Sequence, residues 1–217
     1  MPHRVNMQWR TPIVEVMNPD HARLKAGLVR HAYEIERRAK GPIASGVAPL
    51  AKSGLYESPF DLFATADVPE VGSLRAFCAQ SVAEIVVGLH QQANGGRNVL
   101  GAVAVHIVEA WMHITRDGGY HDVHTHPGFS WCGIYYVQSG ESTADPPNGV
   151  NRFYPPWDVG YQDVGSTVYQ PEVFQPAAVD GKLILFPGYV RHSAVPYRGP
   201  TDRILVAFNA RASKGQG

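Results

Sequence analysis

The sequence predicts a mainly β domain of the sandwich or jelly-roll type, flanked on its N-terminal side by α-helices. Two observations carry this prediction. The hydrophobic period changes near Asn94-Gly95-Gly96, from steps of three and four residues before it to alternation after it. From Val99 onward, β-branched and aromatic runs are short and separated by Gly/Pro turns, with no helical period between them, which favours stacked or closed sheets over a doubly wound α/β fold. No internal repeat is visible.

In chain order, residues 20–40 place Leu24, Leu28, His31 and Ile35 on one helical face. Asn18-Pro19-Asp20 supplies a start and Gly41-Pro42 a stop. After a Gly/Ala/Ser/Pro-rich stretch at 41–59, residues 71–92 repeat Leu74, Phe77, Cys78, Ser81, Ile85 and Leu89 at helical steps, and Gly95-Gly96 ends the run. Both helices are expected to pack on the barrel and contribute no chemistry. Strands are expected at 103–115, 130–138, 166–170, 182–186 and 203–209. The chain thus divides into a helical flank, 1–98, and a β core, 99–210, of one domain spanning 1–217. Residues 139–181, rich in Pro, Gly and aromatics, are longer than a structural turn needs. They read as a loop over the barrel mouth, in which Phe153, Trp157 and Tyr161 could form a lid, pack on the surface or meet a second copy in a homodimer.

Composition bounds the function class. A chain of 217 residues with 44% hydrophobic and 18% charged residues can bury a sizeable core. Nineteen basic and nineteen acidic side chains leave a net charge of +0, so no global field favours nucleic acid or an anionic membrane. The N-terminus lacks the apolar segment of a secretory signal, and no run reaches the roughly 18 apolar residues of a membrane span. A cytoplasmic location is expected. Cys78 and Cys132 are too few and too differently placed for a disulfide framework, and Cys132 reads as a small packing residue.

The chemistry begins with His124-Thr125-His126-Pro127. In an extended segment His124 and His126 point to one face, so both imidazoles could reach one ion. His192, after the Phe186-Pro187-Gly188 turn, is the distant third candidate. Three imidazoles on one side of an ion leave open positions of the kind oxygen chemistry requires. Taken alone, a histidine pair on a strand is more often packed or exposed than a ligand set. His192 and the arginine beyond it reverse that weighting. Arg203 opens Arg-Ile-Leu-Val-Ala-Phe-Asn, where alternation puts Arg203, Leu205, Ala207 and Asn209 on one face. A guanidinium facing a barrel interior needs a partner, and a carboxylate held by its planar fork is the economical one; a surface ion pair is the competing reading. Ser130, Cys132, Ile134 and Tyr136 share a face of their strand, so Tyr136 could offer its hydroxyl to the same carboxylate. Trp131, Cys132, Asn209 and Ser130 are candidate pocket residues. His121 is expected to face solvent, although a ligand or supporting role is open, and His106 and His113 are expected to be strand residues outside the site.

In combination and order, His124–Pro127, Trp131–Val137, Phe186–His192 and Arg203–Asn209 resemble the Fe(II)- and 2-oxoglutarate-dependent oxygenases, and among them the group carrying His-x-His-Pro. The Ile-Tyr-Tyr strand also looks like that of prolyl hydroxylase-type members. The resemblance covers roughly residues 99–210. It implies a double-stranded β-helix, cupin-like in form, with iron held by His124, His126 and His192, and the distal carboxylate of 2-oxoglutarate held by Arg203 and Tyr136. It implies oxidative decarboxylation to succinate and CO2, coupled to oxidation of an unactivated C–H bond in a small molecule or peptide side chain. Two departures stand out: the superfamily's usual middle ligand is Asp or Glu where this chain has His126, and the Ser often found two residues after the arginine is Leu205. A three-histidine cupin-type dioxygenase that ignores 2-oxoglutarate, and a non-catalytic jelly-roll binding protein, are the alternatives.

Overall fold

The computed structural model describes residues 11–39, 54–65, 67–156, 163–164 and 172–215. Nine strands and three helices are formed among them: β1 (Val14–Met17), α1 (His21–Arg38), β2 (Leu55–Glu57), α2 (Leu62–Thr65), α3 (Pro69–Ala93), β3 (Val103–Thr115), β4 (His121–His124), β5 (Trp131–Gln138), β6 (Asn151–Phe153), β7 (Lys182–Pro187), β8 (His192–Ala194) and β9 (Arg203–Lys214). The strands make a six-stranded sheet in the order β1-β7-β5-β9-β3-β2 and a three-stranded sheet in the order β4-β8-β6, antiparallel throughout. This is the expected β architecture with N-terminal helices.

Alternation sorts the strand residues into two cores. On one face of the large sheet, Met112, Ile114, Tyr135, Val137, Leu183, Leu185, Ile204 and Val206 pack with Leu24, Leu28, Leu74, Cys78 and Val82 of the helices. Those helical residues recur at steps of three and four, which is why α1 and α3 each present one apolar stripe. By length and composition α3 could also cross a membrane, yet its stripe lies on this sheet. The opposite face carries Cys132, Ile134, Tyr136, Ile184, Phe186 and Leu205, which meet Phe153 and Val190 inside the sandwich. Arg116 fastens α1 to the barrel through Glu36 (2.5 and 2.8 Å) and Asp202 (2.9 Å).

Three departures from the sequence expectations bear on function. The N-terminal flank is not purely helical: β1 pairs with β7 and β2 with β3, forming both edge strands of the large sheet. The 139–181 segment is not only a loop, because Asn151–Phe153 enters the small sheet beside β8. A bulge in β3, between Ile107 and Glu109, shifts the register against β9 and reverses the parity of the residues beyond it. Val105 and Ile107 pack toward the helices before the bulge, and Ala110, Met112 and Ile114 do so after it. Glu109, Trp111 and His113 therefore turn into the sandwich. The strand expected at 166–170 lies outside the described residues.

Candidate active site

The small sheet and the adjoining face of the large one enclose a cavity of about 390 Å³, within the usual size of a small-ligand pocket. His124, His126, Cys132, His192 and Asn209 line it, as do Asn151, Phe186 and Leu205.

His124 ends β4 and His192 opens β8, and the two are partners across the ladder. His126 follows β4, where its backbone N–H donates to the Gly188 carbonyl at 2.8 Å. The Pro187-Gly188 turn that precedes His192 thus also fixes His126. The nearest donor atoms of the three histidines lie within 4.8 Å of one another and could hold one ion. His124 Nδ1 donates to the Asp122 carbonyl (2.7 Å) and His192 Nδ1 to the Val190 carbonyl (3.0 Å). Each bond keeps the proton on Nδ1 and leaves the Nε2 lone pair for a metal. His126 is held differently: its Nδ1 lies 3.3 Å from Asn209 Nδ2, which also donates to Glu109 Oε2 at 2.7 Å. Burial, with His124 adding repulsion, pushes His126 down to about 4 and His192 to about 3. Both are neutral near pH 7, the form in which an imidazole can bind a metal.

Arg203 is 1% exposed. Its Nη2 donates to Asn151 Oδ1 at 2.9 Å, and the same oxygen accepts from the Tyr136 hydroxyl at 2.7 Å. The guanidinium carbon stands 5.6 Å from the Tyr136 ring centre. No carboxylate lies within ion-pair distance among the described residues, and Arg203 Nε is buried without a hydrogen-bond partner. Burial pulls the Arg203 pKa down. An uncompensated cation this deep is costly, and an anionic ligand relieves the cost. The histidines therefore fit a divalent metal, while Arg203 and Tyr136 do not line the cavity themselves but sit behind Asn151, which does.

A family model described as "Putative 2OG-Fe(II) oxygenase" matches residues 109–209, the span that holds the three histidines and the buried arginine. Over this span the chain is similar to the 2OG-Fe(II) oxygenases. The oxygenase uses non-haem Fe(II) and takes 2-oxoglutarate as its cosubstrate. No curated protein matches the sequence. Solved structures agree on the fold. A prolyl hydroxylase of Trichoplax adhaerens, in complex with a hypoxia-inducible-factor peptide, is 12% identical with a TM-score of 0.60 over 92% of this chain and 83% of its own. A Pseudomonas putida prolyl-4-hydroxylase is 14% identical with a TM-score of 0.56, covering 93% of each chain. HygX from Streptomyces hygroscopicus, whose structure holds nickel and 2-oxoglutarate, is 10% identical with a TM-score of 0.55 over 93% of this chain and 83% of its own.

The other expected site residues divide. Cys132 and Asn209 line the cavity of the oxygenase as expected. Trp131 does not: odd positions of β5 face the helices, and its side chain belongs to the helix–sheet core. Ser130 is structural, its hydroxyl donating to the Ala210 carbonyl at 3.3 Å and accepting from the Ala212 N–H at 3.3 Å. Phe153 is no lid; it is 1% exposed in β6, edge-on to Phe186 at 4.9 Å and stacked on His192 at 6.0 Å. Trp157 and Tyr161 lie outside the described residues. His121 and His113 correct the expectation in the other direction, since both line the cavity. Asn151 and Glu109 went unpredicted: one sat in a segment read as loop, and the other depends on the bulge in β3.

Proposed function

We propose that His124, His126 and His192 hold the Fe(II) of this oxygenase, and that Arg203, with Tyr136 and Asn151 beside it, takes the distal carboxylate of 2-oxoglutarate. The observation that carries this reading is the pair of carbonyl-fixed imidazoles facing each other across β4 and β8, with His126 completing the set. The bound metal and cosubstrate supply the oxidising chemistry. The chain's residues hold and orient them and keep water out. His124 and His192 keep their protons on Nδ1, committed to main-chain carbonyls. Arg203 offers a positive fork, with Asn151 on the cavity wall in front of it. Phe153 and Phe186 pack around His192 and exclude water from its far side.

The substrate class in this reading is a small molecule or the side chain of a peptide, for which the roughly 390 Å³ cavity has the capacity. A reducing, cytoplasmic setting belongs to the same proposal, supported by the two free and buried cysteines, Cys78 and Cys132.

Anaerobic titration of the apoprotein with Fe(II) and then 2-oxoglutarate tests the assignments through the weak visible charge-transfer band of a chelated 2-oxo acid. The wild type is expected to develop the band, His124→Ala to lose it at any cosubstrate concentration, and Arg203→Ala to need far more 2-oxoglutarate. A band that persists in His124→Ala would overturn the metal assignment.

A further inference from the structure

Beside the three-histidine cluster, and sharing none of its residues, lies a second set of donors: Glu57, His113 and His121. We propose that these three form a second site for a divalent transition metal at the wall of the same cavity.

The set is assembled from three strands. Glu57 ends β2 directly opposite His113 on β3, and His121 opens β4 in the other sheet. The site would bridge the two layers of the sandwich. His113 and His121 stack with ring centres 4.6 Å apart and planes 21° from parallel. Both direct Nε2 at one carboxylate oxygen, His113 at 3.5 Å and His121 at 3.7 Å from Glu57 Oε1.

Those two distances carry the argument. They are long for N–H···O hydrogen bonds, which cluster near 2.9–3.0 Å. They match the edge of a coordination polyhedron: ligands about 2.1 Å from a tetrahedral ion stand roughly 3.4 Å from each other. Burial agrees, because the His113 and His121 side chains are only 8% and 15% exposed, while Glu57 at 39% leaves a path for an ion to enter. Two imidazoles and one carboxylate suit zinc or ferrous iron far better than magnesium or calcium, which prefer all-oxygen shells. The nearest rings of the two clusters, His121 and His124, have centres 6.0 Å apart. With no residue in common, the two ions would be separate rather than bridged.

The test is to strip the full-length protein of metal with a chelator and titrate it anaerobically with Co(II). Equilibrium dialysis counts equivalents, and the visible d–d bands report coordination. Two equivalents are expected in the wild type and one in each of His121→Asn, Glu57→Gln and His124→Ala. The double variant His121→Asn/His124→Ala is expected to bind none. Far-UV circular dichroism and the equivalent retained in the single variants show that the fold is intact. One equivalent in the wild type, lost in His124→Ala, would overturn the proposal, as would a second equivalent indifferent to His121→Asn and Glu57→Gln. One equivalent lost in His121→Asn but kept in His124→Ala would instead refute the three-histidine assignment and sustain this one.

Discussion

His124 and His192 face each other across the β4–β8 ladder, and each turns its Nδ1 back onto the main-chain carbonyl two residues before it, Asp122 and Val190 respectively. The site thus has a local repeat: an imidazole on a strand, locked by the main-chain carbonyl two residues before it, which leaves Nε2 free. Because the lock is main chain, side-chain substitution cannot remove it. The histidines themselves are the points of failure. His192→Ala is expected to abolish the 2-oxoglutarate charge-transfer band, and a band of wild-type intensity would contradict the ligand assignment.

The arginine clamp makes a second prediction. Arg203 has no carboxylate partner among the described residues, so a ligand carboxylate stands to gain a buried, charge-assisted pair. Removing one partner of such a pair costs about 2–5 kcal/mol, or roughly 30- to 4,000-fold in affinity at 1.4 kcal/mol per tenfold. Arg203→Met, which keeps much of the packing, is expected to weaken 2-oxoglutarate binding by that order while Fe(II) content stays unchanged. Calorimetry on the anaerobic metal-loaded protein measures the first and metal analysis the second.

His126 is supported by a side chain instead of a carbonyl. The Glu109–Asn209–His126 chain orients an imidazole where a carboxylate would need no such support. Asn209→Ala is expected to weaken Fe(II) affinity by about 10- to 100-fold, the usual effect of removing a group that orients a ligand. Competition against a coloured chelator reads this, and an unchanged affinity would show that Asn209 only lines the cavity.

How much of this was legible in the sequence depends on the range of the interactions. Alternation over 130–138 and 203–209 sorted the inward residues correctly. The same parity assigns Trp131 to the helix side, against its inclusion among pocket candidates. The order of the histidine elements pointed to three side chains that the fold does bring together, because each sits beside its own turn or strand end. His113 was out of reach: its direction is reversed by a bulge near Val108 that no local pattern announces, and its neighbour Glu57 arrives from a strand pairing more than fifty residues away in sequence. Phe153 misled for a related reason, since an aromatic in a Pro-rich stretch reads as loop until β8 is there to pair with it.

The Pro187-Gly188 turn couples the ligand loops. A Cβ on Gly188 would collide with the Phe129 carbonyl oxygen and stand 2.7 Å from that of His126. Both obstacles are main chain, so the loop carrying His126 must move. Gly188→Ala is expected to destabilise the protein by about 1–3 kcal/mol, as overpacked sites do, and to lower Fe(II) affinity as well. Urea unfolding and metal titration separate the two effects; a variant equal to wild type in both would show that the turn has slack.

Acid sensitivity of the apoprotein follows from the depressed imidazoles. His192 at about 3 and His126 at about 4 stay neutral in the fold where an unfolded histidine, ordinarily at 6.5, takes up a proton. Above pH 6.5 both states are neutral and these groups do not alter stability. Below it the unfolded chain binds more protons, and stability falls by up to about 1.4 kcal/mol per pH unit per imidazole. For His192 the loss continues toward pH 3. The urea midpoint of metal-free protein is expected to drop steadily from pH 7 to pH 5, and less steeply in His192→Gln. A flat profile in the wild type would count against the burial argument.

The pairing of β1 with β7 and β2 with β3 reaches beyond the fold description. The span shared with the oxygenase family, 109–209, stops short of both of these outer strands. A fragment trimmed to that span would bare the main-chain donors and acceptors of Lys182–Pro187 on one side and of the end of β3 on the other. Exposed edges of this kind recruit other chains. Such a fragment is expected to self-associate even with all three histidines intact, because β7 and the end of β3 would replace the short β1 and β2 as the sheet's edges.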